Sequence, residues 1–156
     1  MENNVLEKEA KIMQNFTFTI RDAKTGKKKR VYKYHNLVVT VGRAIIAQRL
    51  AADNSNSLNL DFGELGTGAT APANGDTTLE TPTFRKATAS ATSSTNQAFI
   101  SYFFTAAEVS GTFLEFGTFI DGTVTIGTGI LFSRVAINII KTLSETLTID
   151  VTYTVT

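Results

Sequence analysis

The stretch Glu145-Thr-Leu-Thr-Ile-Asp-Val-Thr-Tyr-Thr-Val155 alternates apolar and polar side chains over its whole length. Leu147, Ile149, Val151, Tyr153 and Val155 share one parity, and Thr146, Thr148, Asp150, Thr152 and Thr154 share the other. A period of two marks a strand with one face on a core and one toward solvent. The same reading applies near the other end of the chain. Phe16, Phe18 and Ile20 alternate with Thr17, Thr19 and Arg21; Asp22-Ala-Lys-Thr-Gly26 supplies turn chemistry, and residues 27–35 return with Tyr32 and Tyr34 on one face. Leu58, Leu60 and Phe62 begin another alternating run, and further strands are expected over 82–91, 97–105, 112–120 and 127–136. One segment has a helical period instead. The spacing predicts a helix over 41–52, with Thr40 as N-cap and Ile45, Ile46 and Leu50 as its apolar stripe.

The expected fold is therefore mainly β: an antiparallel β-sandwich-like domain of about seven or eight strands with one packed α-helix. Residues 1–14, where Val5, Leu6, Ile12 and Met13 are interleaved with charges, read as an N-terminal arm. A helix so short is marginal in water, so the arm is expected to be ordered only against another subunit. Residues 15–156 read as a single β-rich structural domain. Within it, residues 66–78 lack periodicity and read as a long loop.

Two strands break the half-buried pattern. Ile100, Tyr102 and Phe104 oppose Phe99 and Phe103, and Leu114, Phe116 and Ile120 oppose Phe113 and Phe119. A strand apolar on both faces needs cover on both, from a second sheet, a helix or a neighbouring subunit. Phe99, Phe103, Phe113 and Phe119 are thus candidate protein-contact residues. The competing account has the sandwich and its helix cover all four internally.

Composition narrows the chemistry. The 156 residues contain no cysteine and one histidine, which excludes disulfides, thiolate catalysis and cysteine-ligated metals. No apolar run approaches the roughly 18 residues of a membrane span, and charges interrupt residues 5–13, so neither a membrane segment nor a secretory core is expected. Threonine makes up about one residue in six, which suits a pleated surface. Residues 1–49 hold 11 basic and 4 acidic side chains (+7), while residues 50–156 hold 4 and 10 (−6). Such polarity suits packing between copies, or it cancels within one fold.

The motif search yields little. His35 cannot build a metal cluster alone and reads as structural. Gly66-Thr-Gly68 and Gly127-Thr-Gly129 lack the lysine and following helix of a phosphate loop, and read as turn or bulge glycines. Asp61 and Glu64 sit three apart on a strand and are expected on opposite faces; no calcium-loop density of acids occurs. The one charge cluster is Lys27, Lys28, Lys29 and Arg30. It reads as a solvated hairpin shoulder or a protein contact, with nucleic acid disfavoured although Tyr32 and Tyr34 lie near. No catalytic, cofactor or metal residues are assigned, and a non-enzymatic role is expected.

Asn36-Leu-Val-Val-Thr-Val-Gly42 leading into a helix, the string Glu64-Leu-Gly-Thr-Gly-Ala-Thr-Ala-Pro72, and Asp76-Thr-Thr-Leu-Glu80 form an ordered set. With Glu115-Phe-Gly-Thr-Phe119 and the Thr-rich closing strand, they resemble small structural proteins of tailed bacteriophages, found around tail fibres, collars and baseplates. The resemblance spans roughly residues 36–156 and brings no catalytic residues. It implies a virion component, assembled in the host cytoplasm, that works by self-association and docking on other virion proteins. Alternatives are a capsid decoration or vertex protein, or a fibre-head module binding a host receptor or glycan. A cellular ligand-binding sandwich or an enzyme is the third class.

Overall fold

The alternating stretch becomes the middle strand of a five-stranded antiparallel sheet. The computed structural model describes residues 11–156. In chain order the elements are β1 (Ile12–Asp22), β2 (Lys28–His35), β3 (Leu37–Val38), α1 (Thr40–Leu50), β4 (Leu60–Gly66), β5 (Pro82–Ala87), β6 (Ser90–Ser94), β7 (Gln97–Phe104), β8 (Gly111–Ile120), β9 (Ile130–Lys141) and β10 (Glu145–Val155). One sheet, called A here, runs β2-β1-β10-β7-β6, and sheet B runs β3-β9-β8-β4-β5. The fold is a β-sandwich-like pair of antiparallel sheets with one helix.

Among the described residues, ten strands replace the seven or eight expected, for two reasons. The run 82–91 is not one strand. Its first part pairs with β4 in sheet B, and from Ser90 it pairs with β7 in sheet A, extending past the expected end at 91 to Ser94. Leu37–Val38 adds a short strand against β9. The strand expected at 127–136 lies at Ile130–Lys141, because Gly127 and Gly129 take positive φ (76° and 84°) in the preceding turn.

The arm boundary also moves. Ile12 to Gln14 belong to β1, Gln14 is buried, and the Lys11 and Thr156 backbones exchange hydrogen bonds of 2.6 and 2.8 Å. The rest of the proposed arm, residues 1–10, lies outside the described residues.

The core fills the space between the sheets. Sheet A contributes Phe16, Phe18 and Ile20 from β1, Leu147, Ile149 and Val151 from β10, and Ile100, Tyr102 and Phe104 from β7. From sheet B the Phe116 ring meets Phe16, Phe18 and Tyr102 at centroid distances of 5.9, 5.8 and 5.5 Å, edge to face. Such pairs add about 0.5–1.5 kcal/mol each beyond area burial. A triangle of hydroxyls ties the layers: Tyr153 Oη lies 2.9 Å from Thr118 Oγ1 and 3.0 Å from Ser133 Oγ, which are 2.8 Å apart. Burial pushes the Tyr153 phenol up to about 12.

Helix α1 begins one residue earlier than expected and ends two earlier. Its N-cap is Val39, without a side-chain cap; the Thr40 amide donates instead to Asn74 O at 2.9 Å. Ile45 is buried, but Leu50 is 85% exposed and leaves the expected stripe. Gly42 presses against the Phe132 backbone so closely that a Cβ there would overlap the carbonyl.

Buried charges close the outer face of sheet B. Glu115 Oε1 accepts from the Gly68 amide (3.1 Å) and the Thr81 amide (2.7 Å), and Oε2 from the Glu80 amide (3.0 Å). Arg134 donates Nε to Glu115 (3.0 Å), Nη1 to Asp76 (2.7 Å) and Nη2 to Thr70 O (3.1 Å). These bonds lay the loop 67–81 across the sheet, with Leu79 sealing against Phe119, Leu131 and Val39. Gly66 lies at a register shift between β4 and β5, in keeping with a bulge glycine, and neither Gly66 nor Gly68 takes a positive φ. A Cβ at Gly66 would stand 2.5 Å from Glu115 Oε1, so these glycines make room for the carboxylate. A second pair anchors the turn after β8: Arg85 Nη1 lies 2.5 Å from Glu64 Oε1 and Nη2 donates to Thr128 O at 2.7 Å. Glu64 also accepts from the Gly127 amide at 2.7 Å. The Arg85 guanidinium lies between the Phe62 and Phe119 rings, 4.6 and 4.7 Å from their centroids.

Candidate interaction surface

Among the described residues, no element covers the outer face of sheet A. Strand register places its outward side chains in rows from β2 through β6. The first reads Val31, Thr19, Thr148, Phe103; the second Lys33, Thr17, Asp150, Ser101, Ser90; the third His35, Asn15, Thr152, Phe99, Thr92. All are exposed or half-buried except Thr19. The face is a field of hydroxyls with a basic side at β2, one carboxylate near its centre and two phenylalanines. Phe99 is 38% and Phe103 40% exposed. Alternation causes this directly, because β7 gives its even residues to the core.

Phe113 and Phe119 do not join that surface. Phe113 is 4% exposed within the main core, and Phe119 is fully buried under Leu79 and beside Arg85. The protein's own 67–81 loop covers Phe119, and a register shift between Phe113 and Glu115 turns Phe113 into the main core, so these two rings are not available for contact. The four-ring patch reduces to Phe99 and Phe103, separated by two register steps on one strand.

The basic cluster also divides. Lys29 Nζ lies 2.9 Å from Glu145 Oε1, and Arg30 Nη2 lies 2.8 Å from Glu145 Oε2 and donates to Ile140 O at 3.0 Å. Burial would raise the Glu145 carboxyl, but the Lys29 hydrogen bond, the Thr142 amide and Arg30 outweigh it and hold it at about 2. Lys27 and Lys28 remain exposed without an ion pair among the described residues. Tyr34 packs edge-on to Phe18 at 5.6 Å, so it belongs to the core rather than to a stacking platform. His35 is exposed at the sheet edge, with Nδ1 3.4 Å from Gln14 O.

Two recesses accompany these features. Ser90, Thr92, Phe99, Ser101, Asp150 and Thr152 surround a depression of about 200 Å³ on the open face, where Ser101 Oγ donates to Asp150 at 2.8 Å. A larger groove of about 550 Å³ runs between α1 and the first residues of β1. Sequence reasoning did not find the groove. The unbroken apolar pair Ile12-Met13 was a signal in the sequence, whereas Leu50 read as part of the packed stripe. No family model, curated protein or solved structure matches the chain.

Proposed function

We propose that the chain is a non-enzymatic structural protein of a tailed-bacteriophage virion, acting in the tail, collar or fibre apparatus by self-association and docking. The carrying observation is the open face of sheet A, where Phe99 and Phe103 stand half-exposed in a hydroxyl field. The motif resemblance supports the phage context. The use of Glu64, Glu115 and Glu145 to fasten loops and strands supports a building-block role.

The occupant of this face is a second copy, packed face to face. Lys33 and Asp150 share one row, so a two-fold axis between them sets Lys33 of each copy over Asp150 of the other. Five strands about 4.8 Å apart, some eight residues long, offer roughly 500 Å² per copy. That falls just below the range of a stable isolated pair, and it fits a weak contact repeated among many copies.

Sedimentation velocity of the purified protein across a concentration series tests the reading. Association should weaken on dilution, and Phe99→Asp with Phe103→Asp should give a folded protein that associates more weakly than the parent at every concentration. A double variant that associates as the parent does would overturn the role of the sheet A face, and a particle unlabelled by an antibody against the protein would overturn the virion role. A second reading has its own observation: the depression combines an aromatic face, a carboxylate and hydroxyls, the set that holds a sugar ring. Phe99-dependent NMR shifts on adding a panel of mono- and disaccharides would favour it.

A further inference from the structure

The groove between α1 and β1 carries features that the sandwich does not use. Its floor and one wall come from Ile12, Gln14, Asn36 and Val38, and its other wall from Ile46 and Leu50. Met13 and Leu50 stand at its lips, 54% and 85% exposed. Two side-chain amides in its lining are unsatisfied. Gln14 Oε1 and both amide atoms of Asn36 are buried with no hydrogen-bond partner among the described residues. A carboxamide offers a donor and an acceptor at the spacing of a peptide group, so an Asn–Gln pair in an apolar groove suits a peptide backbone. Buried amides in native proteins take a hydrogen-bonding partner from protein or ordered water, and a peptide backbone in the groove would supply one.

We propose that this groove receives residues 1–10 of a second copy of the chain; the proposal rests on the self-association put forward above. The segment Met-Glu-Asn-Asn-Val-Leu-Glu-Lys-Glu-Ala has the matching chemistry. Val5-Leu6 supplies an apolar pair for the walls. Glu2, Glu7 and Glu9 outnumber Lys8, while the charged residues lining the groove are Lys11 and Arg43, both basic. Ten residues reach about 33 Å extended, ample for a groove flanked by an 11-residue helix of about 16 Å.

The donor is a second copy because the chain's own path opposes self-filling. Lys11 is itself part of the groove lining, and its backbone is fixed to Thr156. To enter the groove, the preceding residues of the same chain would have to reverse at once, within Glu7-Lys-Glu-Ala10. That tetrapeptide holds none of the Gly, Pro, Asn or Asp residues that tight reversals use. A neighbour's segment needs no reversal, and exchange of an identical element between copies is a low-cost route to assembly.

The absence of cysteine makes the test clean. Leu6→Cys and Leu50→Cys full-length proteins are purified separately, mixed and oxidised mildly, and the bridge is identified by peptide mass spectrometry. The mixture should give a disulfide-linked dimer at least fivefold faster than Leu6→Cys mixed with Leu143→Cys, an exposed control site. Equal rates for the two mixtures would overturn the proposal. So would a Leu6→Cys/Leu50→Cys double variant that bridges only within one chain. The failure of the sheet A reading is separately visible. If Phe99→Asp with Phe103→Asp leaves association unchanged while the 6–50 bridge forms, the groove stands and the face does not. If the parent associates through sheet A and the bridge is no faster than the control, the groove assignment falls alone.

Discussion

Glu115 shows how a single side chain decides which face of a sheet is closed. It accepts three backbone amides and the Arg134 guanidinium at once, so it is both an ion-pair partner and the terminus for a loop's orphan donors. Breaking a buried pair by removing one partner costs about 3–5 kcal/mol, and Arg134→Met should fall in that range by chemical denaturation. Replacing both partners by apolar residues often restores stability in a simple pair. Here it should not, because Glu115→Met with Arg134→Met leaves the amides of residues 68, 80 and 81 without an acceptor. A double variant as stable as the parent would contradict this account. Glu145 makes the acid-side prediction. Its folded value of about 2 lies below its ordinary 4.5, so its contribution is complete above pH 4.5 and is lost as pH falls toward 2. Roughly 2 kcal/mol should disappear across that window after allowance for screening around the exposed Lys29. Glu145→Gln should flatten that part of the stability–pH profile.

At the scale of elements, α1 separates propensity from packing. Gly42→Ala gains about 1 kcal/mol of intrinsic helix propensity. The added Cβ meets the Phe132 carbonyl, so the variant should nevertheless melt lower than the parent. Leu50→Ser, at a solvent-exposed position, should change the melting temperature by little. The strands with clean alternation, β1 and β10, were legible in the sequence because each has one polar and one apolar face. The break between β5 and β6 was not. At Thr88 and Ala89 the chain leaves one sheet for the other with no glycine or proline, held by amide bonds to Asp61 O and Ser101 O. Those acceptors are remote in sequence, so no local pattern encodes the corner. The same holds for β8, whose second apolar face reads alike whether a subunit or the protein's own loop covers it. Glu115 alternated outward, as a solvated residue would. The small residues that admit it, Gly66 and Gly68, were visible only as loop glycines. On β7 the alternation was legible, because its even residues enter the core and Phe99 and Phe103 are left half-exposed on the other face.

For the whole molecule, the two sides of the sandwich are unequal. Sheet B is sealed by two loops fastened with buried charge, while sheet A presents rows of hydroxyls and two rings to its surroundings. Salt should therefore affect the two differently. Association through the Lys33–Asp150 rows should weaken between low salt and about 0.5 M, while the melting temperature should hold, since buried pairs are screened far less than exposed ones. Sedimentation and thermal melts on the same samples would check both. The strand order carries a consequence for how the protein is made. β10 is the centre of sheet A, with β1 on one side and β7 on the other, yet it follows every other strand in the chain. A growing polypeptide therefore carries β1–β2 and β6–β7 as two separate hairpins, their Phe16, Phe18 and Tyr102 faces uncovered, until residue 155 has left the ribosome. Sheet A closes in one late step, and a ribosome-stalled chain ending near residue 144 should be protease-sensitive where a fully extruded one resists.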